Sequence, residues 1–177
     1  MFTFYNLAPL SHDPLCLGFG PFSKHFPKHK MHQFQKMSIF DLCGGIGGFT
    51  MGSSPLGIDT MAFLESNDLA CQVLQSNFSA PVVHEKVEDI TNVQALHELK
   101  TDAFLQVTGG FPCQPFSRQG DMQGSQDLRG NVLNAILRCA WLLQADSLLL
   151  ECVDNVINFP DVMTTLDTFA ENAVMHI

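Results

Sequence analysis

Apolar positions along the chain fall into two alternating kinds of pattern. Short apolar runs at 38–42, 60–64, 82–87, 103–107 and 147–150 have the length and side-chain character of buried strands. Between them, 68–78, 92–99, 131–143 and 160–170 carry apolar residues at helical intervals. In the first of these helices Leu69, Val73 and Leu74 are expected on one side. In the third, Val132, Ile136, Leu137 and Ala140 recur with Trp141 near the end. A brief helix is expected from Phe49, and Thr91 or Asn92 is placed to cap the 92–99 helix. Residues 174–177 read as the beginning of a sixth strand. Strands alternating with helices predict an α/β fold with a doubly wound, mostly parallel sheet, which binds ligands at the carboxyl ends of its strands.

Residues 1–36 do not share this pattern. They mix Pro, Phe, Gly, His and Lys without a sustained period and read as a poorly ordered basic extension, with Met37 a natural start for the folded body. The extension carries four lysines and one acid, a net of +3, so the net charge of −9 places −12 on residues 37–177. Phosphate contacts come from Lys and Arg, so either nucleic acid is not the substrate or the basic surface lies elsewhere. His25, His29 and His32 have helical spacing, but Pro27 interrupts them and no acid or cysteine ligand is near, so no metal site is expected. Six scattered cysteines without a Cys-x-x-Cys pair favour reduced thiols. Such thiols fit an intracellular protein, and neither a signal peptide nor a membrane span is expected.

The chemistry-bearing residues lie just after the strands. Cys43-Gly44-Gly45-Ile46-Gly47-Gly48 follows the first strand, and its glycines permit sharp turning and close approach to a ligand at a helix start. Glu65 ends the second strand twenty residues after Gly45, the spacing at which a βαβ unit sets an acid on a ribose, whose two hydroxyls a carboxylate can accept. Thr50 occupies the third glycine position of the dinucleotide pattern, and a ligand without a pyrophosphate, such as S-adenosylmethionine, does not need that pattern. Asp89 follows the third strand and Glu151 the fifth. After the fourth, Gly109-Gly110-Phe111-Pro112-Cys113-Gln114-Pro115-Phe116-Ser117-Arg118-Gln119-Gly120 holds one thiol between two prolines, a loop that restricts Phe111 and Gln114 as well. Each element alone has a bland reading as a turn, a cap or a solvated acid. All five converge on one sheet edge, which a chance set of turns would not do.

Over residues 38–177 these motifs resemble the DNA cytosine-5 methyltransferases, whose fold is a Rossmann-like S-adenosylmethionine-dependent methyltransferase sheet. Gly110-Phe111-Pro112-Cys113-Gln114-Pro115-Phe116-Ser117 is similar to the nucleophile loop of that family. Asp41-Leu42-Cys43-Gly44-Gly45-Ile46-Gly47-Gly48-Phe49 looks like its cofactor loop, Glu65 with Ser66 like its ribose-binding acid segment, and Asp89-Ile90-Thr91 like its adenine-contacting segment. Asp127-Leu128-Arg129-Gly130 is similar to the segment after the mobile catalytic loop, and Glu151-Cys152-Val153 to Glu-Asn-Val. The resemblance implies Cys113 and Glu151 as catalytic residues. It implies Asp41, Leu42, Cys43, Gly45, Ile46, Gly47, Gly48, Glu65, Ser66, Asp89, Ile90, Pro112 and Val132 as contacts to S-adenosylmethionine. Gln114, Ser117, Arg118, Gln119 and Arg129 become contacts to DNA.

By that resemblance, the Cys113 thiolate adds to cytosine C6, making C5 electron-rich enough to attack the sulfonium methyl of S-adenosylmethionine, while Glu151 contacts N3 and the exocyclic amine. The base must leave the duplex, so base flipping is implied. Family members continue beyond this chain with an arginine-bearing motif, a target recognition domain and a segment that completes the cofactor site. Residues 37–177 are therefore expected to be a partial catalytic domain, inactive alone. Cys152 stands where the family carries Asn, removing an amide able to hydrogen-bond to the nucleophile loop. The alternative is a non-catalytic remnant that binds S-adenosylmethionine or a protein partner. The resemblance implies DNA as partner, without membrane or metal, in the nucleus of a eukaryote or the cytoplasm of a bacterium.

Overall fold

The structure, a computed structural model, describes residues 2–6, 36–90, 104–113 and 131–175. The expected parallel sheet is present. Strands β1 (Phe2–Asn6), β2 (Met37–Leu42), β3 (Asp59–Glu65), β4 (Val82–His84), β5 (Phe104–Gly110) and β6 (Ser147–Glu151) form one sheet in the order β1-β6-β5-β2-β3-β4. β6, β5, β2, β3 and β4 run parallel, and β1 closes the β6 edge antiparallel. The described helices are α1 (Gly48–Ser53), α2 (Asp68–Asn77), α3 (Asn131–Leu142) and α4 (Pro160–Met175).

Alternation along the strands sorts the core into two faces. Phe40 and Leu42 of β2, Leu64 of β3, Leu105 and Val107 of β5, and Leu148 and Leu150 of β6 share a cluster with Leu133, Ile136, Leu137 and Ala140 of α3 and with Val162 and Leu166 of α4. Phe63 belongs to the opposite face, where its ring stacks at 5.3 Å, tilted, on Phe78 just after α2. The rotation of α2 differs from the expectation. Cys71 and Leu74 are buried, whereas Leu69 is 71% exposed and Val73 39% exposed. Residues 71, 74 and 78 lie three and four apart and face the sheet, with the Cys71 thiol donating to the Glu65 carbonyl at 3.3 Å.

Three further expectations are corrected. β4 ends at His84 rather than 87, because the chain turns there and buries Val87 and Ile90 from a turn instead of a strand. α4 continues through Val174 to Met175, so no strand begins at 174; neither Gly nor Pro interrupts the helix after Pro160. Within the segment read as a poorly ordered extension, Phe2–Asn6 pairs with β6 from Phe2 opposite Glu151 to Asn6 opposite Ser147. The rest of that extension and the expected 92–99 helix lie outside the described residues.

β5 runs three residues beyond its expected end, so Gly109 and Gly110 are strand residues opposite Leu150 and Glu151. A Cβ on Gly109 would lie 3.0 Å from Ile136 Cδ1, so glycine here lets α3 sit tightly on the sheet. Gly109→Ala is expected to cost about 1–3 kcal/mol by overpacking. Ile136→Val removes Cδ1, the nearer of the two crowding methyls, and leaves Cγ2 at 3.2 Å, so the double variant should lose less than the sum of the single losses in urea denaturation; strict additivity would refute the contact.

Candidate active site

Five parallel strands deliver the expected residues to one edge of the sheet. At the end of β2 the chain leaves through left-handed backbone at Cys43 (φ 57°), Gly45 (φ 54°) and Gly47 (φ 90°). Left-handed φ is costly for a residue with a Cβ, so Cys43 is held by its surroundings. Its amide donates to the Leu64 carbonyl at 2.8 Å, and the Gly44 amide reaches the same oxygen at 3.3 Å. Gly47 lies against the Phe78 ring, where a Cβ would sit 2.4 Å from Cε2. Among the described residues, no atom lies within 4 Å of a Cβ added at Gly45 or Gly48, which leaves open space above the loop. Ile46 is exposed beside this opening.

The end of β3 meets this loop directly. The Gly45 amide donates to Glu65 Oε2 at 2.8 Å, and the Ser66 and Asn67 amides both donate to Oε1 at 2.8 Å. A carboxylate accepts about four hydrogen bonds, so Glu65 is fixed in place with room for about one more donor. The free acceptor position is on Oε2, since Oε1 already takes two amides. His84 Nε2, at the end of β4, lies 3.1 Å from the Ser66 carbonyl and 3.0 Å from Asp68 Oδ1, securing the start of α2. Asn67 caps that helix by accepting from the Ala70 amide at 3.0 Å.

Asp41 and Leu42 are buried beneath the loop rather than presented on it. Thr108 of β5 donates to Asp41 Oδ1 at 2.8 Å, while Asp41 Oδ2 is buried without a hydrogen-bond partner among the described residues. Burial raises the Asp41 pKa to about 7, against the lowering effect of the Thr108 bond and with a further rise from the Glu65 charge. Below about pH 7 the carboxyl is neutral, which lowers the cost of the orphaned oxygen.

On the far side of β2, Cys113 and Pro112 follow β5 and are half-buried, with Cys113 packed against the core cluster. Glu151 ends β6 opposite Gly110 and is exposed, its Oε2 3.6 Å from where a Gly110 Cβ would stand. The structure thus brings the acid next to the strand that carries the thiol. Burial pushes the Cys43 and Cys152 thiols up to about 12 and that of Cys139 to about 11, with the Glu65, Glu88 and Asp41 charges adding to the rise at Cys43. Asp89 is exposed in the turn after β4, Ile90 is buried beside it, and Val132 is buried on α3. Gln114, Ser117, Arg118, Gln119 and Arg129 lie outside the described residues.

Sequence reasoning missed Thr108, Phe78 and Arg138. Thr108 and Phe78 read as ordinary strand and helix-end residues, and only the tertiary partners reveal their roles. Arg138 Nη2 donates to the carbonyls of Glu88 and Ile90 at 2.9 Å each and approaches that of Val87 at 3.4 Å. Among the described residues no group of three or more His, Cys, Asp or Glu could hold a metal ion, and no helix is long and apolar enough to cross a membrane.

Asp41 makes stability depend on pH. Its pKa is 3.8 ordinarily and about 7 when folded, so between those values the folded state holds a proton that the unfolded state has released. Its contribution is present below about pH 4 and is lost as pH rises through about 7, with an upper limit of about 4 kcal/mol. Thermal melts should show Tm falling between about pH 4 and about pH 7, and Asp41→Asn should flatten that slope. An unchanged slope in the variant would rule out Asp41 as its source.

Comparison with known proteins agrees with this geometry. The family model described as C-5 cytosine-specific DNA methylase matches residues 37–173. The Type II methyltransferase M.PspPI of Psychrobacter sp. is 36% identical over 102 residues, covering 57% of this chain and 23% of that protein. M.AluI of Cellulosimicrobium cellulans is 32% identical over 123 residues, covering 69% of this chain and 23% of that protein. The chain thus spans about a quarter of the length of these relatives. Among solved structures, the Dnmt2 methyltransferase of S. pombe superposes with a TM-score of 0.57 at 20% identity, covering 77% of this chain and 42% of that one, a likeness of fold. With the family model spanning most of its length, the chain belongs to the C-5 cytosine-specific DNA methylase family.

Proposed function

We propose that this chain forms the cofactor-binding and nucleophile-bearing part of an enzyme that methylates C5 of cytosine in DNA, with S-adenosylmethionine as donor. The observation that carries the reading is the joining of the Gly45 loop to Glu65 at 2.8 Å, on the sheet edge that also bears Cys113 and Glu151. The open space over Gly45 and Gly48 and the remaining acceptor position on Glu65 fit a nucleoside-bearing cofactor without a pyrophosphate. Gly45, Ile46, Gly47 and Gly48 would line it, Glu65 and Ser66 would meet the ribose, and Asp89 with Ile90 would meet the adenine. Pro112 and Val132 would border the methyl-bearing end, with Leu42, Cys43 and the neutral Asp41 supporting the loop from below. When bound, S-adenosylmethionine supplies an electrophilic methyl group carried on a sulfonium.

The chain's own side chains supply the rest. Cys113, as thiolate, adds to C6 of a cytosine flipped out of the duplex, which moves electron density to C5. Glu151 holds the ring through N3 and the exocyclic amine, favouring the adduct by sharing a proton with N3. Loss of the C5 proton and breakage of the Cys113–C6 bond then restore the aromatic ring. Cys43, Cys139 and Cys152, held as thiols, do not compete as nucleophiles. Gln114, Ser117, Arg118, Gln119 and Arg129 would contact DNA, and the enzyme would work inside the cell, where DNA and cofactor are found. Because the chain spans about a quarter of its relatives, catalysis is assigned to it together with the remaining machinery of such an enzyme.

Calorimetry is expected to show S-adenosylmethionine binding at about 1 mM or tighter, weakened at least about tenfold by Glu65→Ala; no heat at that ligand concentration would remove the cofactor assignment. The completed enzyme should form a covalent adduct with DNA containing 5-fluorocytosine, and Cys113→Ser should abolish it. An adduct that survives this substitution would overturn the nucleophile assignment. Cofactor binding without any adduct from the unsubstituted, completed enzyme would favour the non-catalytic reading.

A further inference from the structure

Arg138 is an exposed residue in the last half of α3, fifty residues from the turn it holds. Its Nη2 meets three backbone carbonyls of that turn: Glu88 and Ile90 at 2.9 Å and Val87 at 3.4 Å. The turn itself is short, closed by the Asp89 amide donating to the Lys86 carbonyl at 3.0 Å, and anchored by the buried side chains of Val87 and Ile90. Asp89 is the exposed residue between the two carbonyls that Arg138 grips. A charged donor to a neutral carbonyl is among the stronger hydrogen bonds, and a planar guanidinium keeps its donors in fixed directions. The backbone on either side of Asp89 is therefore held from outside the turn.

The helix that supplies Arg138 touches two other parts of the same edge. Val132 lies at its start, and Ile136 packs on Gly109 near the carboxyl end of β5, four residues before Cys113. One rigid element thus sets the position of the turn after β4 relative to the strand before the nucleophile. We infer that Arg138 is a positioning residue that fixes the Glu88–Asp89–Ile90 backbone in the form that reads the adenine of the cofactor. The inference rests on the cofactor reading above. It concerns the base end of the ligand, not the ribose held by Glu65.

The test compares the unsubstituted chain with Arg138→Met and Arg138→Lys, using S-adenosylhomocysteine and its inosine analogue as probes in calorimetry. The unsubstituted chain should prefer the adenine ligand. Arg138→Met should lower affinity for the adenine ligand about tenfold and leave the inosine ligand little changed, and Arg138→Lys should recover part of the preference, since an ammonium lacks the planar fork. A merely destabilised chain would bind both ligands more weakly with the preference intact. Retained affinity and preference in Arg138→Met, or an equal loss for both ligands, would overturn the inference. Should the unsubstituted chain bind neither ligand, it is the cofactor reading that fails. Amide exchange in the free protein then decides the clamp: faster exchange across the turn, confined to it, in Arg138→Met supports it, and unchanged exchange overturns it.

Discussion

The bond from the Gly45 amide to Glu65 Oε2 is the constraint on which the rest of this edge depends. It ties the glycine loop after β2 to the end of β3, and the Cys43 and Gly44 amides reinforce it through the carbonyl of Leu64. A flexible, glycine-rich segment is otherwise expensive to order, because glycine loses more conformational freedom than any other residue. Here the ordering is shared among backbone donors that face a fixed carboxylate, so the loop holds one form through its own contacts. The Phe78 ring under Gly47 and the Phe63 ring under Phe78 give the loop a floor, which links the opposite face of the sheet to the binding edge.

Beneath that bond, charge is arranged with care. Asp41 and Glu65 are both acids near one loop: Glu65 accepts from three backbone amides, while Asp41 is buried, accepts from Thr108, and has its pKa raised to about 7. Two ionised carboxylates so placed would repel each other across a low-dielectric space. The division of labour comes from environment, since the two side chains differ by only one methylene. Thr108 completes it by orienting the buried Asp41 from the neighbouring strand β5.

Much of this was legible in the sequence where the cause is local. The parallel sheet follows from the alternation of apolar runs with helical stretches, and the twenty-residue interval between Gly45 and Glu65 reflects the chain length of a βαβ unit. What was not legible depends on tertiary partners. The buried side of α2 is chosen by Cys71, Leu74 and the ring of Phe78, so Leu69 and Val73, equally apolar on paper, face outward. Val87 looks like a strand residue because its burial is real, yet it is buried from a turn held by a guanidinium fifty residues away. Five residues are too few to display a period, and Phe2–Asn6 becomes a strand only because β6 offers it an edge. The nucleophile motif was read from its prolines and cysteine, while the loop beyond Cys113 lies outside the described residues.

That pairing has a consequence for the β6 edge. Strand β1 satisfies the outer face of β6 along its whole length, from Ser147 to Glu151. A polypeptide beginning at Met37 would keep all five parallel strands but leave β6 with a bare row of amides and carbonyls flanking Leu148, Leu149 and Leu150. Such an edge is a template for strand addition by another molecule. Phe2–Asn6 thus act as a cover strip that keeps the strand ending in Glu151 from pairing with a neighbouring chain.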